Sequence, residues 1–191
     1  MSAAKNDDDE GLTVRTTTIE LFKEEMKFSA GHFTIFSGTH RENLHGHNFT
    51  VYVAIEGLVD DNGMLADYGG YKRWVTDACK RWNETFMLPG ESPHLRIERA
   101  TFNGREHVVA HFADEQIPFL PRDVTVLPVK NVTLEELARL FGEGLSADTA
   151  RLAADNITGL LVKCASGPGQ WAQWRWSAPT TTTTTTATET T

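Results

Sequence analysis

The chain has 191 residues, of which 40% are hydrophobic and 23% charged, and its formal net charge is −8. This length and composition suit one globular domain. An acidic chain without a basic stripe argues against a nucleic-acid partner. The sequence has no run of about 18 apolar residues, so no membrane-spanning segment is expected. Two cysteines give no disulfide framework, and the polar N-terminal segment has no apolar signal core. We therefore expect a cytoplasmic protein.

The first part of the chain predicts two strands. Apolar residues punctuate charged ones between Thr18 and Phe28, which predicts a strand with a bulge near Glu24. A polar loop follows at residues 37–44. Residues 48–59 then alternate cleanly between apolar and polar side chains, and this pattern predicts the second strand.

A helix and a hairpin are predicted next. Residues 71–86 carry apolar side chains at helical spacing, and Cys79 lies in that apolar stripe, so we interpret it as a core residue. Residues 94–97 and 107–112 have strand character. The Asn103-Gly104 pair between them is a strong signal for a hairpin turn.

The last part predicts a second helix between strands. Residues 124–129 form a short apolar segment. Thr133 then begins a helix, and Glu136 three residues later is placed to form a capping box. Residues 157–164 and 171–176 predict the two final strands.

This order of elements predicts an α+β fold, with an antiparallel four-stranded sheet and both helices on one face. We expect one domain at residues 13–177 with a hairpin insertion near residues 93–120. A disordered acidic segment at 1–12 and a disordered threonine-rich tail at 178–191 would flank it. An open four-stranded sheet leaves edges that must be paired or covered.

Three histidines form the candidate metal site. His45 and His47 are separated by one glycine at the start of a strand, so both side chains point to the same face. His32, near the end of the preceding apolar run, would complete a set of three neutral nitrogen ligands, which is typical of catalytic zinc. The alternative is a chance pair in a chain with seven histidines. The other four lack this pattern and are interpreted as ordinary residues: His40, His94, His107 and His111.

Four sequence blocks carry a resemblance to a known family. In chain order they are FSAGHF, HGHNFTVYVAIEG, GMLADYGGYK and NVTLEELA, within residues 22–176. The chain resembles the family of 6-pyruvoyl-tetrahydropterin synthase and 6-carboxy-tetrahydropterin synthase. The resemblance implies a tunnelling fold, in which the sheets of several subunits close into a barrel. It also implies trimers stacked into hexamers, with active sites at subunit interfaces.

The resemblance further implies a zinc ion and a pterin-like substrate. Family members hold Zn²⁺ with the histidines that match His32, His45 and His47, and they act on the hydroxylated side chain of dihydroneopterin triphosphate. A Lewis acid makes such hydroxyls more acidic. Proton transfer then requires a base close to the reacting carbon.

The expected base departs from the family pattern. The usual cysteine, four residues before the first histidine of the HGH motif, is replaced by Arg41, and Glu42 lies three residues before His45. This resembles a variant class in which glutamate replaces the cysteine and the side chain is cleaved to give 6-hydroxymethyl-dihydropterin. The family's Asp-His relay is replaced by Asn83 and Glu84, so Glu42 and Glu84 are the candidates for proton transfer. The alternative for Glu42 is a solvated loop carboxylate.

Substrate recognition also departs from the family. The family glutamate that binds the pterin ring falls at Cys164 or Ser166, and residues 157–176 contain no acidic residue. The candidate substrate contacts are three residues that match the block lining the pterin pocket and one arginine able to hold a phosphate: Asn131, Thr133, Glu135 and Arg41. Helix capping is the alternative role for Thr133, and Arg41 facing solvent is the alternative for the arginine.

The sequence therefore predicts a zinc-dependent carbon–oxygen or carbon–carbon lyase that acts on dihydroneopterin triphosphate or a related pterin. One alternative is the glutamate-variant enzyme that cleaves the side chain to 6-hydroxymethyl-dihydropterin. The other is a non-catalytic zinc-binding oligomeric paralogue, which would keep the metal and the fold without turnover.

Overall fold

The computed structural model describes residues 15–179, which form three α-helices, twelve strands and one 3-10 turn at Pro121–Asp123. The helices are α1 (Gly69–Trp82), α2 (Leu134–Ser146) and α3 (Thr149–Ala154). The strands are β1 (Thr16–Leu21), β2 (Lys27–His32), β3 (Ile35–Ser37), β4 (His40–Arg41), β5 (His45–Leu58), β6 (Thr85–Pro89), β7 (Arg96–Phe102), β8 (Arg105–Phe112), β9 (Glu115–Phe119), β10 (Val124–Leu127), β11 (Ile157–Ala165) and β12 (Ala172–Ser177). No helix within this part of the chain is both long and apolar enough to cross a bilayer.

The main sheet is built around β5, which has 14 residues. Both β1 and β2 pair antiparallel with one side of β5, and β11 followed by β12 extends the other side. Beyond β2, the strands β6 and β10 are added in parallel. The expected α+β class is confirmed, but the expected four-stranded antiparallel sheet is too small, since the sheet has seven strands and is mixed.

Two element boundaries differ from the sequence prediction. The single bulged strand predicted from Thr18 to Phe28 is wrong, because the chain turns where the Met26 amide donates to the Lys23 carbonyl at 2.9 Å. The result is two strands, β1 and β2, that pair with successive halves of β5. The helix predicted to reach Phe86 ends at Trp82, and the following residues become β6 because their backbone completes the sheet beside β2.

The core lies between the main sheet and the three helices. Alternate residues of β5 face the helices and are buried, from Phe49 through Ile55. The helices contribute complementary apolar stripes, and Phe141 of α2 is central to them. Cys79 of α1 is fully buried, as predicted, and burial raises the pKa of its thiol to about 12. A buried thiol of this kind is an unreactive core residue rather than a nucleophile.

A second, smaller sheet is formed by β7, β8 and β9, and we call it the appended sheet. Its first turn is Asn103-Gly104, where both residues have positive φ, 50° and 74°. That geometry is the two-residue turn that Asn-Gly favours. The appended sheet packs on the main body through its own apolar cluster, which includes Phe33, Ile35, Leu88, Leu95, Val108, Ala110 and Phe112.

The aromatic centre of the core gives a test of the packing. Phe141 is fully buried and its ring lies 4.8 Å from the Trp82 ring. We expect Phe141→Ala to lower the free energy of unfolding by about 3–5 kcal/mol, because the cavity adds to the lost burial. The measurement is urea unfolding followed by circular dichroism. The matched control is Phe102→Ala, a residue 43% exposed, which should change stability by no more than about 0.5 kcal/mol. Equal effects of the two substitutions would contradict this assignment of the core.

Candidate metal and catalytic site

The pairing of β2 with β5 brings the three candidate metal ligands to one face of the sheet. His32 lies directly opposite His45, and Ala30 lies opposite His47. Directly opposed residues on neighbouring antiparallel strands have Cβ atoms roughly 5 Å apart. His47 follows His45 by two residues and therefore points the same way. His45 therefore belongs to two pairs: the cross-strand pair with His32 and the i, i+2 pair with His47.

The three imidazole rings converge on one point. One ligand nitrogen from each histidine lies within 4.8 Å of the other two, and the ring centroids are 4.5–5.3 Å apart. His32 is only 7% exposed, whereas His45 and His47 are half-buried. The cluster is therefore closed on one side by the core and open on the other.

Backbone carbonyls fix the orientation of two of the rings. The His32 Nδ1 lies 2.9 Å from the Val132 carbonyl oxygen, and the His45 Nδ1 lies 2.8 Å from that of Asn43. A carbonyl oxygen only accepts, so each Nδ1 must donate and each Nε2 keeps its lone pair. A metal-ligating histidine typically has an outer contact of this kind.

The electrostatics favour neutral imidazoles. Burial is the main cause that lowers the pKa of His32, and the neighbouring His45 and His47 lower it further against the opposing effect of the Val132 carbonyl. Burial also lowers the pKa of His47, together with the nearby His45. Neutral histidines offer a lone pair at neutral pH, which is the form that binds a metal.

The donor set fits a zinc ion. The His32 Nε2 is buried and has no hydrogen-bond partner among residues 15–179, and an unpartnered buried nitrogen is costly unless something else binds it. Three imidazoles with an open position suit Zn²⁺ better than the oxygen-preferring Mg²⁺ or Ca²⁺. His32, His45 and His47 are therefore the residues able to hold a metal.

Glu42 is brought next to this cluster. Its Oε2 lies 3.9 Å from the His45 Nε2 and accepts a hydrogen bond of 2.8 Å from the Thr34 amide. Burial raises the pKa of Glu42, but the Thr34 hydrogen bond and the charges of His45 and His32 outweigh it and lower that pKa overall. The side chain is thus an oriented, ionised carboxylate beside the histidines.

Arg41 is held by other protein groups. Its Nε donates to the Glu115 carboxylate at 2.8 Å, Nη2 contacts the same oxygen, and Nη1 donates to the Glu42 carbonyl at 2.7 Å. The guanidinium also lies over the Phe33 and Phe112 rings, at 5.1 Å and 5.7 Å from their centroids. Of the two alternatives from the sequence, a side chain that faces solvent does not describe this arrangement, since the Arg41 side chain is only 15% exposed.

Glu84 lies in the turn between α1 and β6. Its backbone adopts a positive φ of 59°, and its amide donates to the Ser29 carbonyl at 2.7 Å. The preceding Asn83 accepts a hydrogen bond of 2.8 Å from the Ser29 amide. The exposed Glu84 side chain borders an open cleft that also includes His47. Glu84 thus borders the cleft that includes His47, whereas Glu42 lies beside His45.

The three candidate substrate contacts before and within α2 have different surroundings. The Asn131 amide pairs with both backbone groups of Ile35, at 3.0 Å and 2.8 Å. The Thr133 hydroxyl accepts from the Glu136 amide at 3.4 Å, which confirms the helix cap. Glu135 is exposed in the first turn of the helix.

Several groups at the site gave no signal in the sequence. Val132 and Asn43 act through backbone carbonyls, and any residue type supplies a carbonyl. Thr34 likewise acts through its amide. Glu115 reaches the site loop from 74 residues away, and only the packing of the appended sheet reveals that contact.

Comparisons with known proteins indicate the family of the chain. The family model described as 6-pyruvoyl tetrahydropterin synthase matches residues 20–176. The chain is 24% identical over 151 residues to a provisionally named 6-carboxy-5,6,7,8-tetrahydropterin synthase of Methanocaldococcus jannaschii, covering 78% of this chain and 90% of that protein. It is 26% identical over 149 residues to one of Pyrococcus horikoshii, covering 77% and 84%.

Solved structures show the same fold. The 6-pyruvoyl tetrahydropterin synthase of Plasmodium falciparum superposes with a TM-score of 0.78 at 25% identity, covering 85% of this chain and 99% of that one. The Plasmodium vivax enzyme superposes with a TM-score of 0.76 at 25% identity, covering 86% and 99%. A P. vivax variant in which a catalytic glutamate is replaced by alanine superposes equally well, with a TM-score of 0.76, at 24% identity and the same coverage.

The histidine cluster makes a direct prediction about metal binding. We expect His47→Ala to weaken zinc binding by more than the roughly 10–100-fold that a lost outer contact costs, because it removes a ligand. The measurement is zinc affinity by competition with a chelator, with circular dichroism to check the fold. The matched control is His107→Ala in the appended sheet, which should bind zinc as the wild type does. Unchanged affinity in His47→Ala would contradict a three-histidine site.

Proposed function

Because the chain belongs to the 6-pyruvoyl tetrahydropterin synthase family, we propose that it is a zinc-dependent lyase. Its substrate would be dihydroneopterin triphosphate or a related pterin with a hydroxylated side chain. The observation that carries this proposal is the convergence of three histidine nitrogens within 4.8 Å, with a glutamate carboxylate 3.9 Å from one of the rings. A metal ligand set and a proton acceptor thus lie side by side.

His32, His45 and His47 would hold the metal. Zinc bound there would act as a Lewis acid that makes neighbouring hydroxyls more acidic. The Val132 carbonyl supports this role because it fixes the His32 ring with Nε2 toward the cluster. The buried side of the cluster, closed by the Phe49 ring at 5.6 Å from the His32 ring, limits water to the open side.

Glu42 would be the general base. A base must be unprotonated before the reaction, and the lowered pKa of Glu42, against the raising effect of burial, keeps the carboxylate ionised at neutral pH. The Thr34 amide, 2.8 Å from Oε2, holds the carboxylate in place. Glu84, which borders the cleft that includes His47, would serve as a second proton carrier.

Cleavage of the side chain to 6-hydroxymethyl-dihydropterin is the second candidate reaction, and the identity of the base favours it. No thiolate is available at the site, because both cysteines of the chain are buried in the core. Glutamate is also the catalytic residue replaced in one of the solved P. vivax structures. In this reaction a side-chain hydroxyl loses its proton to Glu42, the adjacent carbon–carbon bond breaks, and the carbon left on the ring takes a proton.

Recognition of the pterin would rely on residues outside the final strands. β11 and β12 contain no acidic residue, so the ring-binding carboxylate must come from elsewhere. Glu135 is the candidate among the substrate contacts with an exposed side chain, whereas Asn131 and Thr133 bind backbone groups. A carboxylate can accept two parallel hydrogen bonds from the donor edge of a pterin.

Assembly into a trimer or hexamer is part of this proposal. The outer edges of β10 and β12 end the path of paired strands in the main sheet, and native proteins cover or pair such edges. An exposed aromatic pair, Phe22 after β1 and Trp171 just before β12, has ring centroids 6.3 Å apart. Burying these rings between subunits would remove apolar surface from water.

The function is tested by metal analysis combined with turnover. We expect about one zinc per chain, as three ligands with an open position imply, and conversion of dihydroneopterin triphosphate followed by mass spectrometry. Glu42→Gln should keep the zinc and lose turnover by on the order of 100-fold or more, because general-base catalysis contributes that much.

The matched control is Glu25→Gln, which changes an exposed glutamate in the turn between β1 and β2. It should leave turnover unchanged. The mass of the released fragment distinguishes loss of triphosphate from side-chain cleavage. Zinc without turnover in the wild type would favour the non-catalytic paralogue, and full activity of Glu42→Gln would remove Glu42 as the base.

A further inference from the structure

We propose that Arg41 and Glu115 position Glu42, so that the appended sheet is part of the catalytic apparatus. This inference rests on the proposed function of Glu42 as the base. Neither residue needs to touch the substrate in this role. They are positioning residues that act on the backbone and the orientation of the base.

The contacts form a continuous chain from the appended sheet to Glu42. Glu115, the first residue of β9, accepts hydrogen bonds from Nε and Nη2 of Arg41. Nη1 of the same guanidinium donates to the Glu42 carbonyl at 2.7 Å. On its other side Glu42 is held by Thr34, whose amide binds the carboxylate and whose carbonyl accepts from the Glu42 amide at 2.9 Å. The peptide units on both sides of Glu42 are thus fixed by hydrogen bonds.

The arginine is more than a surface charge. Its side chain is only 15% exposed, against 48% for Glu115, and it lies over the rings of Phe33 and Phe112. Exposed ion pairs contribute little because both side chains must be ordered from solution. A guanidinium already packed on aromatic rings loses less freedom when it pairs.

The appended sheet is anchored firmly enough to transmit this constraint. Phe112 is 3% exposed and belongs to the apolar cluster that joins the two sheets. Phe112, on β8, lies opposite Glu115 on the neighbouring strand β9. The residue that binds Arg41 and a residue that packs under Arg41 are therefore partners in one β-ladder, and they move together.

A direct phosphate-binding role for Arg41 is the competing explanation. All three nitrogens of the guanidinium already contact protein oxygens, two on Glu115 and one on the Glu42 carbonyl. A substrate phosphate would have to displace Glu115, which repels it. The two explanations predict different kinetic parameters, because loss of a substrate contact raises KM whereas a displaced base lowers kcat.

The experiment compares Arg41→Gln, Glu115→Gln and the double variant with the wild type. We expect each single variant to lower kcat by about tenfold, because small displacements of a catalytic group are costly, with KM within about twofold of the wild type. The double variant should be no worse than either single one, since both changes break the same contact chain. Zinc content should not change.

Hydrogen exchange supplies a readout that does not depend on turnover. Peptides covering residues 33–44 should exchange faster in both single variants, because the Thr34 and Glu42 amides lose support. The matched control is Glu106→Gln, which breaks an ion pair with Arg99 inside the appended sheet. It should leave both exchange in residues 33–44 and kcat unchanged.

The outcomes separate this inference from the proposed function. Unchanged exchange in residues 33–44 would overturn the positioning role, whatever the activity. A raised KM with unchanged kcat in Arg41→Gln would also overturn it, in favour of a phosphate contact. A third outcome is that the single variants exchange faster in residues 33–44 but the wild type turns over no pterin. That result would support the positioning of Glu42 while removing its function as a base.

Discussion

The register between β2 and β5 is the constraint on which the site depends. It places His32 opposite His45 and Gly31 opposite Gly46. A shift of one residue would turn His45 and His47 to the opposite face of the sheet, away from His32. The same shift would expose Phe49, which is 1% exposed and packs beside the histidine rings. The hydrophobic core and the convergence of the three histidines therefore require the same register.

The chemistry of the site follows from its place at the end of the core. His32 and Phe49 belong to the face of the sheet that the helices cover, so burial shifts the imidazoles toward their neutral forms. The segment that leads into α2 closes this end, and its Val132 carbonyl orients the His32 ring. Packing therefore supplies both the protonation state and the direction of a ligand, two properties that the proposed metal requires.

The second apolar cluster constrains the loop that carries Glu42. A loop that carries a carboxylate next to three histidines could adopt many conformations if only its ends were fixed. Here the loop contains the short β3–β4 pair, and its Arg41 is packed on Phe33 and Phe112. An added sheet can thus change the precision of a site without contributing a side chain to its centre.

The sequence by itself determined the features that depend on neighbouring residues. The i, i+2 histidines, the Thr133 cap, the Asn103-Gly104 turn and the buried Cys79 each follow from local spacing or periodicity. Only the tertiary structure decided which distant groups meet: His32 with a carbonyl 100 residues away, and Arg41 with Glu115, 74 residues away. It also decided that the segment after α1 extends the sheet in parallel. Strand pairing and ion pairs between remote segments carry no local pattern, because the backbone groups that pair are the same in every residue.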